Sequence, residues 1–173
     1  MKHILLTDIQ VTGRDLLQGL GAFDPASFNE VPFEGSWTAG QVADHLLRSA
    51  GVLQVLHGRT ASAHRLPNEK VELIRHVFLD FKTKLKSPDF IVPSGGPHDQ
   101  DDAVGRLREV WTGMESAVQR LDLEQLCLGF DLPVFGLMTR LEWITFYMLH
   151  TQRHIRQIRR IHHGLSIGRA VSQ

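Results

Sequence analysis

Apolar residues recur at alternating spacings of three and four along most of this chain, and the period-two alternation of a half-buried strand is almost absent. The clearest stretch runs Val104, Leu107, Trp111, Met114, Val118, Leu121. That is the seam of a helix lying nearly antiparallel to its neighbours. The helix carrying it starts near Asp101 and Asp102, acids suited to a helix N-terminus. Four other stretches read the same way. A first helix over residues 4–20 turns Leu5, Ile9, Leu16 and Leu20 inward; Gly13 weakens it, and Gly19 with Gly21 ends it. A second opens at Thr38, where Thr38 and Gln41 form a T-x-x-Q capping box, and runs to about His57 with Gly58 as its stop. A shorter one covers residues 69–85 after Asn68 as N-cap, with Val71, Ile74, Phe78, Phe81 and Leu85 inward and Pro88 closing it. The last opens on a T-x-x-E box, Thr139 and Glu142, and continues to about His163 with Gly164 at the C′ position. Residues 87–100 form a Pro/Gly/Asp loop and residues 122–138 a connector with Pro133 and Gly136. Phe90-Ile91-Val92 is the one β-like run, and Pro93 ends it. The expectation is an all-α fold: a four-helix bundle with a short accessory helix.

At roughly 150 residues per domain, a chain of 173 residues is one domain, 1–173. Lys+Arg and Asp+Glu are both 19, so bulk charge offers nothing to nucleic acid or an anionic membrane. A single cysteine, Cys127, excludes an internal disulfide and fits a reducing cytoplasm. The segment Ile4-Leu5-Leu6 before Asp8 falls short of a signal-peptide core of roughly seven to fifteen residues. Residues 143–149 are the longest near-apolar run, far below the roughly eighteen of a membrane span. A soluble, cytoplasmic protein is expected.

Ten histidines are many for this length, and their placement is informative. On the last helix, at about 100° per residue, His154 lies about 40° from His150, Trp143 and Ile161 about 20° and Tyr147 about 60°. Arg153, Arg156, Arg159 and Arg160 fall on the opposite side. The apolar stripe is therefore centred on His150 and His154, one turn apart. His45 on the second helix is likewise centred on Val42, Val52, Leu53 and Leu56. Imidazoles at i and i+4 share one helix face and can share one metal ion, and a third from a facing helix completes a three-nitrogen set with an open coordination position. Three core histidines bonded to neighbours are the alternative, and spacing alone does not place His45 opposite the other two.

These residues also carry a resemblance. Trp37-Thr38-Ala39-Gly40-Gln41-Val42-Ala43-Asp44-His45-Leu46 resembles the W-[ST]-x-x-[EQ]-x-x-x-H-L segment of the DinB/YfiT-like superfamily. Pro133-Val134-Phe135-Gly136-Leu137-Met138-Thr139, then Glu142-Trp143 and His150-Thr151-Gln152-Arg153-His154, resembles that family's last helix. The resemblance implies an up-down-down-up four-helix bundle, often a homodimer. It implies one divalent metal, zinc or nickel, on His45, His150 and His154. It implies metal-dependent hydrolysis or S-transfer of a low-molecular-weight thiol such as bacillithiol or mycothiol to a small-molecule substrate. The rival class is a non-catalytic stress-response or binding bundle whose metal site is structural or degenerate.

Other residues weigh less. Tyr147 lies on the metal face and is a weak candidate for orienting substrate, against a core tyrosine with a satisfied hydroxyl. Trp37 packs the start of its helix or lines the pocket mouth. Glu142 is explained by its capping box, and Gln157 is placed for the outer side of the site. The four arginines read as a solvated face near a helix C-terminus, and nucleic-acid binding through them is not expected. Cys127, with no C-x-x-C and no base beside it, is not a nucleophile. Phe146, Met148 and Leu149 fall off the core direction and require cover from another helix or a second subunit.

Overall fold

The computed structural model describes the backbone of residues 2–171 and side chains through residue 168. Four long helical segments carry the core: α1 (Lys2–Gly21), α2 (Ala39–Ser49) continued by α3 (Val52–His57), α5 (Gln100–Arg120) and α6 (Arg140–Val171). The accessory helix is α4 (Val71–Leu79). Two two-residue strands, β1 (Thr60–Ala61) and β2 (Leu126–Cys127), pair antiparallel and tie the end of α3 to the connector before α6.

Cross-helix contacts fix the topology. From α1, Lys2 donates to the Leu121 carbonyl and Gln10 to Glu115, while Gln100 donates to the Leu20 carbonyl, so α1 and α5 run antiparallel. Gln152 donates to Thr12 and Arg159 pairs with Asp15, so α1 and α6 run parallel. Tyr147 reaches the Leu46 carbonyl and Arg140 the Leu56 carbonyl, so α2 and α6 run antiparallel. Helices α1 and α2 each pack on both α5 and α6, facing one another across the bundle. The order is up-down-down-up, as the resemblance implies.

The expected inward residues Leu5, Ile9, Leu16, Leu20, Leu107, Trp111, Met114 and Val118 are all buried. Five details differ from the sequence reading. First, α1 runs unbroken through Gly13; the Trp111 ring packs where its Cβ would stand, 3.0 Å away, so the glycine admits a close helix contact. Second, the helix opened by Thr38 breaks at Ala50–Gly51, where i→i+3 bonds replace the regular ladder and the Ser49 hydroxyl bonds back to the His45 carbonyl. Third, the accessory helix is shorter than residues 69–85, with Lys70 and not Asn68 at its N-cap, and Phe81 and Leu85 lie partly exposed. Its end is set from α6: Arg153 donates to the carbonyls of Phe78, Asp80 and Thr83, taking acceptors the helix leaves unpaired. Fourth, α6 runs straight through Gly164, where Pro32 and Phe33 pack close to the missing Cβ. Fifth, Phe90-Ile91-Val92 is no strand; Asp89–Ile91 is a 3-10 turn.

Helices α1 and α4 both pack on α6 within this chain, so Met148 and Leu149 are buried without a second subunit.

Candidate metal centre

Two capping boxes set the helices that carry the histidines. In α2, the Thr38 hydroxyl accepts from Gln41 N at 3.0 Å and the Gln41 amide oxygen accepts from Thr38 N at 3.0 Å. In α6, Thr139 and Glu142 make the equivalent pair at 2.9 and 3.2 Å. From these fixed starts His45 and His150 project into the core with His154 one turn further on, and all three are buried.

Their Nε2 atoms converge. His150 Nε2 is 3.0 Å from His45 Nε2 and 3.0 Å from His154 Nε2, and the three ligand atoms lie within 4.8 Å of one another. Tetrahedral zinc at about 2.0–2.1 Å from each nitrogen needs nitrogens about 3.3 Å apart, so the set is close to ligating size. The outer nitrogens explain the orientation. His45 Nδ1 is 2.8 Å from the Ile91 carbonyl, which can only accept, so the proton sits on Nδ1. His154 Nδ1 donates in the same way to Gln157 Oε1 at 2.8 Å. Both rings then present Nε2 lone pairs to His150. A neutral His150 holds one proton and answers one of them at most, and its own Nδ1 is buried without a partner. A central cation answers all three lone pairs, so the residues fit a metal better than they fit each other.

The rings are also held neutral, as ligation requires. Burial pushes His45 below its usual range. Burial, then the neighbouring His154 and His45, pushes His150 well below it. Burial, then His45, lowers His154 to about 3.

Aromatic rings surround the cluster. Trp37 lies 5.1 Å from the His45 ring and 6.4 Å from His154, nearly parallel to the latter. Its sequence-based role, packing the helix start, is therefore joined by a place against the site. Phe146 stacks on His150 at 5.8 Å, and Phe78 of α4 meets it edge-on at 5.6 Å. Tyr147 is a core residue: its hydroxyl donates to the Leu46 carbonyl at 3.2 Å, and full burial pushes its ionisation far up. Cys127 is buried and its thiol is pushed up to about 11, in keeping with an unreactive side chain.

The arginine face is largely engaged. Arg153 caps α4, Arg156 covers the Phe81 ring at 4.3 Å, and Arg159 pairs with Asp15 at 3.5 Å.

Several contributors gave no sequence signal. The Ile91 carbonyl is backbone. Asp44, beside His45, accepts from Ser94 N at 2.8 Å and from its hydroxyl at 3.2 Å, pinning the segment that carries Ile91. Glu142 is fully buried and receives both Arg65 nitrogens at 2.6 Å and Lys70 N at 2.8 Å, beyond its capping role. Partners about 70 residues away, as these are, leave no periodicity to read.

A helical bundle with three imidazoles converging between α2 and α6 defines a class of bundles with a buried histidine cluster of a kind that could hold a metal ion. Within it, the chain belongs to the DinB superfamily, whose profile matches residues 9–158. Two solved structures share the fold. TT2238, described as a four-helix bundle protein, aligns with 18% identity and a TM-score of 0.57 over 92% of this chain and 98% of its own. YfiT from Bacillus subtilis, described as "a probable metal-dependent hydrolase with an unusual four-helix bundle topology", aligns with 14% identity and a TM-score of 0.56 over 92% of this chain and 85% of its own. No curated protein sequence matches the chain. Among the described residues, no helix is long and apolar enough to cross a membrane.

Proposed function

We propose that this protein is a metal-dependent enzyme in which His45, His150 and His154 hold one divalent ion and act on a small-molecule substrate. The observation that carries the reading is the meeting of three Nε2 atoms while the Nδ1 protons of His45 and His154 are committed elsewhere. An all-nitrogen, neutral donor set suits zinc or nickel over magnesium or calcium. When bound, such an ion supplies Lewis acidity and lowers the pKa of a coordinated water or thiol. The chain's own residues do the rest. Ile91 and Gln157 hold two of the rings in the ligating tautomer, and Trp37, Phe78 and Phe146 keep the surroundings apolar and short of water. Glu142 is tied up by Arg65 and Lys70, which leaves it no role as a base. The reaction is then hydrolysis, as the description of YfiT suggests for that protein, or transfer of a low-molecular-weight thiol. A homodimer in the cytoplasm completes the proposal.

Elemental analysis of the purified, untagged protein beside a His150→Ala/His154→Ala variant tests it. One equivalent of zinc or nickel in the wild type, lost in the variant, is the expected result. No metal in either after reconstitution overturns it. Light scattering tests the dimer.

The near-complete burial of the three rings, 1%, 6% and 8% exposed, favours a second reading, a structural metal in a non-catalytic bundle. Melting with and without chelator separates the two. A structural ion stabilises by binding only the folded state and its removal lowers the melting temperature sharply. A catalytic one is lost with activity and a modest change in stability.

A further inference from the structure

We infer that a clasp between Asp44 and Ser94 sets the metal affinity of the site by holding His45 in its ligating tautomer. The inference rests on the metal reading above. Gln41, Asp44, His45 and Arg48 follow one edge of α2 at i, i+3, i+4 and i+7. Three of the four reach the same short segment, which runs from the last residue of the 3-10 turn, Ile91, to Ser94. His45 Nδ1 meets the Ile91 carbonyl at 2.8 Å, Asp44 takes both donors of Ser94, and Gln41 Nε2 reaches the Ser94 carbonyl at 3.4 Å. Other anchors are few. Phe90 is 63% exposed and meets Phe130 edge-on at 6.2 Å, Val92 is 43% exposed, Ile91 is half-buried, and the next side-chain tie along the loop is Asn29 to the backbone of His98. Its position is set by hydrogen bonds, and the strongest are those to a carboxylate.

The chemistry follows from the donors. With Ile91 O in place, the His45 proton is on Nδ1 and its Nε2 lone pair points at the cluster. If the segment swings away, His45 loses its acceptor; the proton can move to Nε2, where it blocks ligation and donates to His150 instead. Asp44 therefore acts through Ile91 as a positioning residue and never touches the centre. Arg48 donates to the same Asp44 oxygen at 2.9 Å, and among the described residues its side chain makes no hydrogen bond to the segment.

The test measures zinc affinity by competition with a chromophoric chelator, and the ring-nitrogen shifts of His45 in zinc-free, 15N-histidine-labelled protein, assigned by their loss in His45→Gln. Asp44→Ala removes the clasp from the helix side. Ser94→Pro removes both donors from the loop side. Each is expected to weaken zinc binding about tenfold or more, the usual effect of losing a partner behind a metal ligand. Each is also expected to shift His45 away from the Nδ1–H tautomer. Arg48→Ala is expected to keep wild-type affinity. Zinc binding within twofold of wild type in both clasp variants, with the His45 shifts unchanged, overturns the inference. An equal loss in Arg48→Ala does so too, because the effect is then one of surface charge. If the wild type takes up no zinc, the metal reading fails by itself, and the His45 shifts still decide whether the clasp holds the ring.

Discussion

The two helices that carry the histidines begin with the same local grammar. Gly35 at φ 73° stands three residues before Thr38, and Gly136 at φ 65° stands three residues before Thr139; each threonine opens a capping box closed three residues later by Gln41 or Glu142. Glycine is favoured at both positive-φ turns because it carries no Cβ penalty there. The difference lies in what closes the box. Gln41 is neutral and half-buried, and its spare amide nitrogen reaches out to the Ser94 segment. Glu142 is fully buried, and its two oxygens collect Thr139 N, Lys70 N and the Arg65 fork. One box is closed by a half-buried neutral side chain; the other also fixes the segment before α4 against α6. Equal motifs thus carry unequal weight, and the weight follows burial.

The largest expected effect tests that claim. Burial alone raises the Glu142 pKa, but hydrogen bonds from Arg65, Thr139 N and Lys70 N and the charge of Arg65 more than reverse it, so the carboxylate stays charged in the core. Arg65→Ala leaves that charge without its main partner, a loss of about 3–5 kcal/mol by analogy with other buried pairs. Urea unfolding should show it at neutral pH. A cost no greater than that of a surface cap would break the comparison.

Next comes pH, read on metal-free protein. His154 titrates near 3 in the folded state against an ordinary 6.5, and His45 and His150 are lowered as well. Below pH 6.5 the unfolded chain takes up protons that the folded one refuses, so stability falls as pH falls, by about 1.4 kcal/mol per unit for each fully shifted histidine. The Glu142 contribution has a different window. It is complete above its usual 4.5 and is lost only as pH falls below that. Melting temperatures between pH 6.5 and 5 therefore report the histidine centre, and the His150→Ala/His154→Ala variant should lose most of that slope. An unchanged slope would mean that the rings are not held neutral by burial.

Much of this was legible in the chain. The stripes of α1 and α5, both capping boxes and the inward histidines follow from local periodicity and cap chemistry, which depend on residues within a few positions. Whatever depends on a distant partner was not legible. The accessory helix ends at Leu79, where Arg153 of α6 bonds the carbonyls of Phe78 and Asp80, and Gly164 lies inside α6 as a glycine that leaves room for Pro32 and Phe33. At the site, the three ligands could be named, but their convergence and the Ile91 carbonyl that orients one of them are properties of packing. Trp37 shows the boundary: its place before the cap was readable, its ring against His154 was not.

Two smaller substitutions sharpen the contrast between the helix starts. Thr38→Ala removes a buried but uncharged cap and should cost about 1 kcal/mol, well below Arg65→Ala. Below that lies a gain. Two residues before Gly136, Val134 also has positive φ, 76°, a conformation a β-branched side chain adopts only under constraint, and no such residue precedes Gly35. The constraint is visible: Phe135 N and Gly136 N both bond to the Leu132 carbonyl, and Lys70 Nζ holds the carbonyls of Phe135 and Leu137. Val134 is 82% exposed, so its side chain contributes little burial in return. Val134→Gly removes a strain of about 1–3 kcal/mol and adds about 0.5–1 kcal/mol of unfolded-chain entropy. The net expectation is a small stabilisation, a rise of about 2–4 °C in melting temperature per kcal/mol gained, with zinc binding unchanged. A fall instead would show that the valine side chain, and not only the Lys70 bracket, holds Phe135 against Phe78 and Phe146.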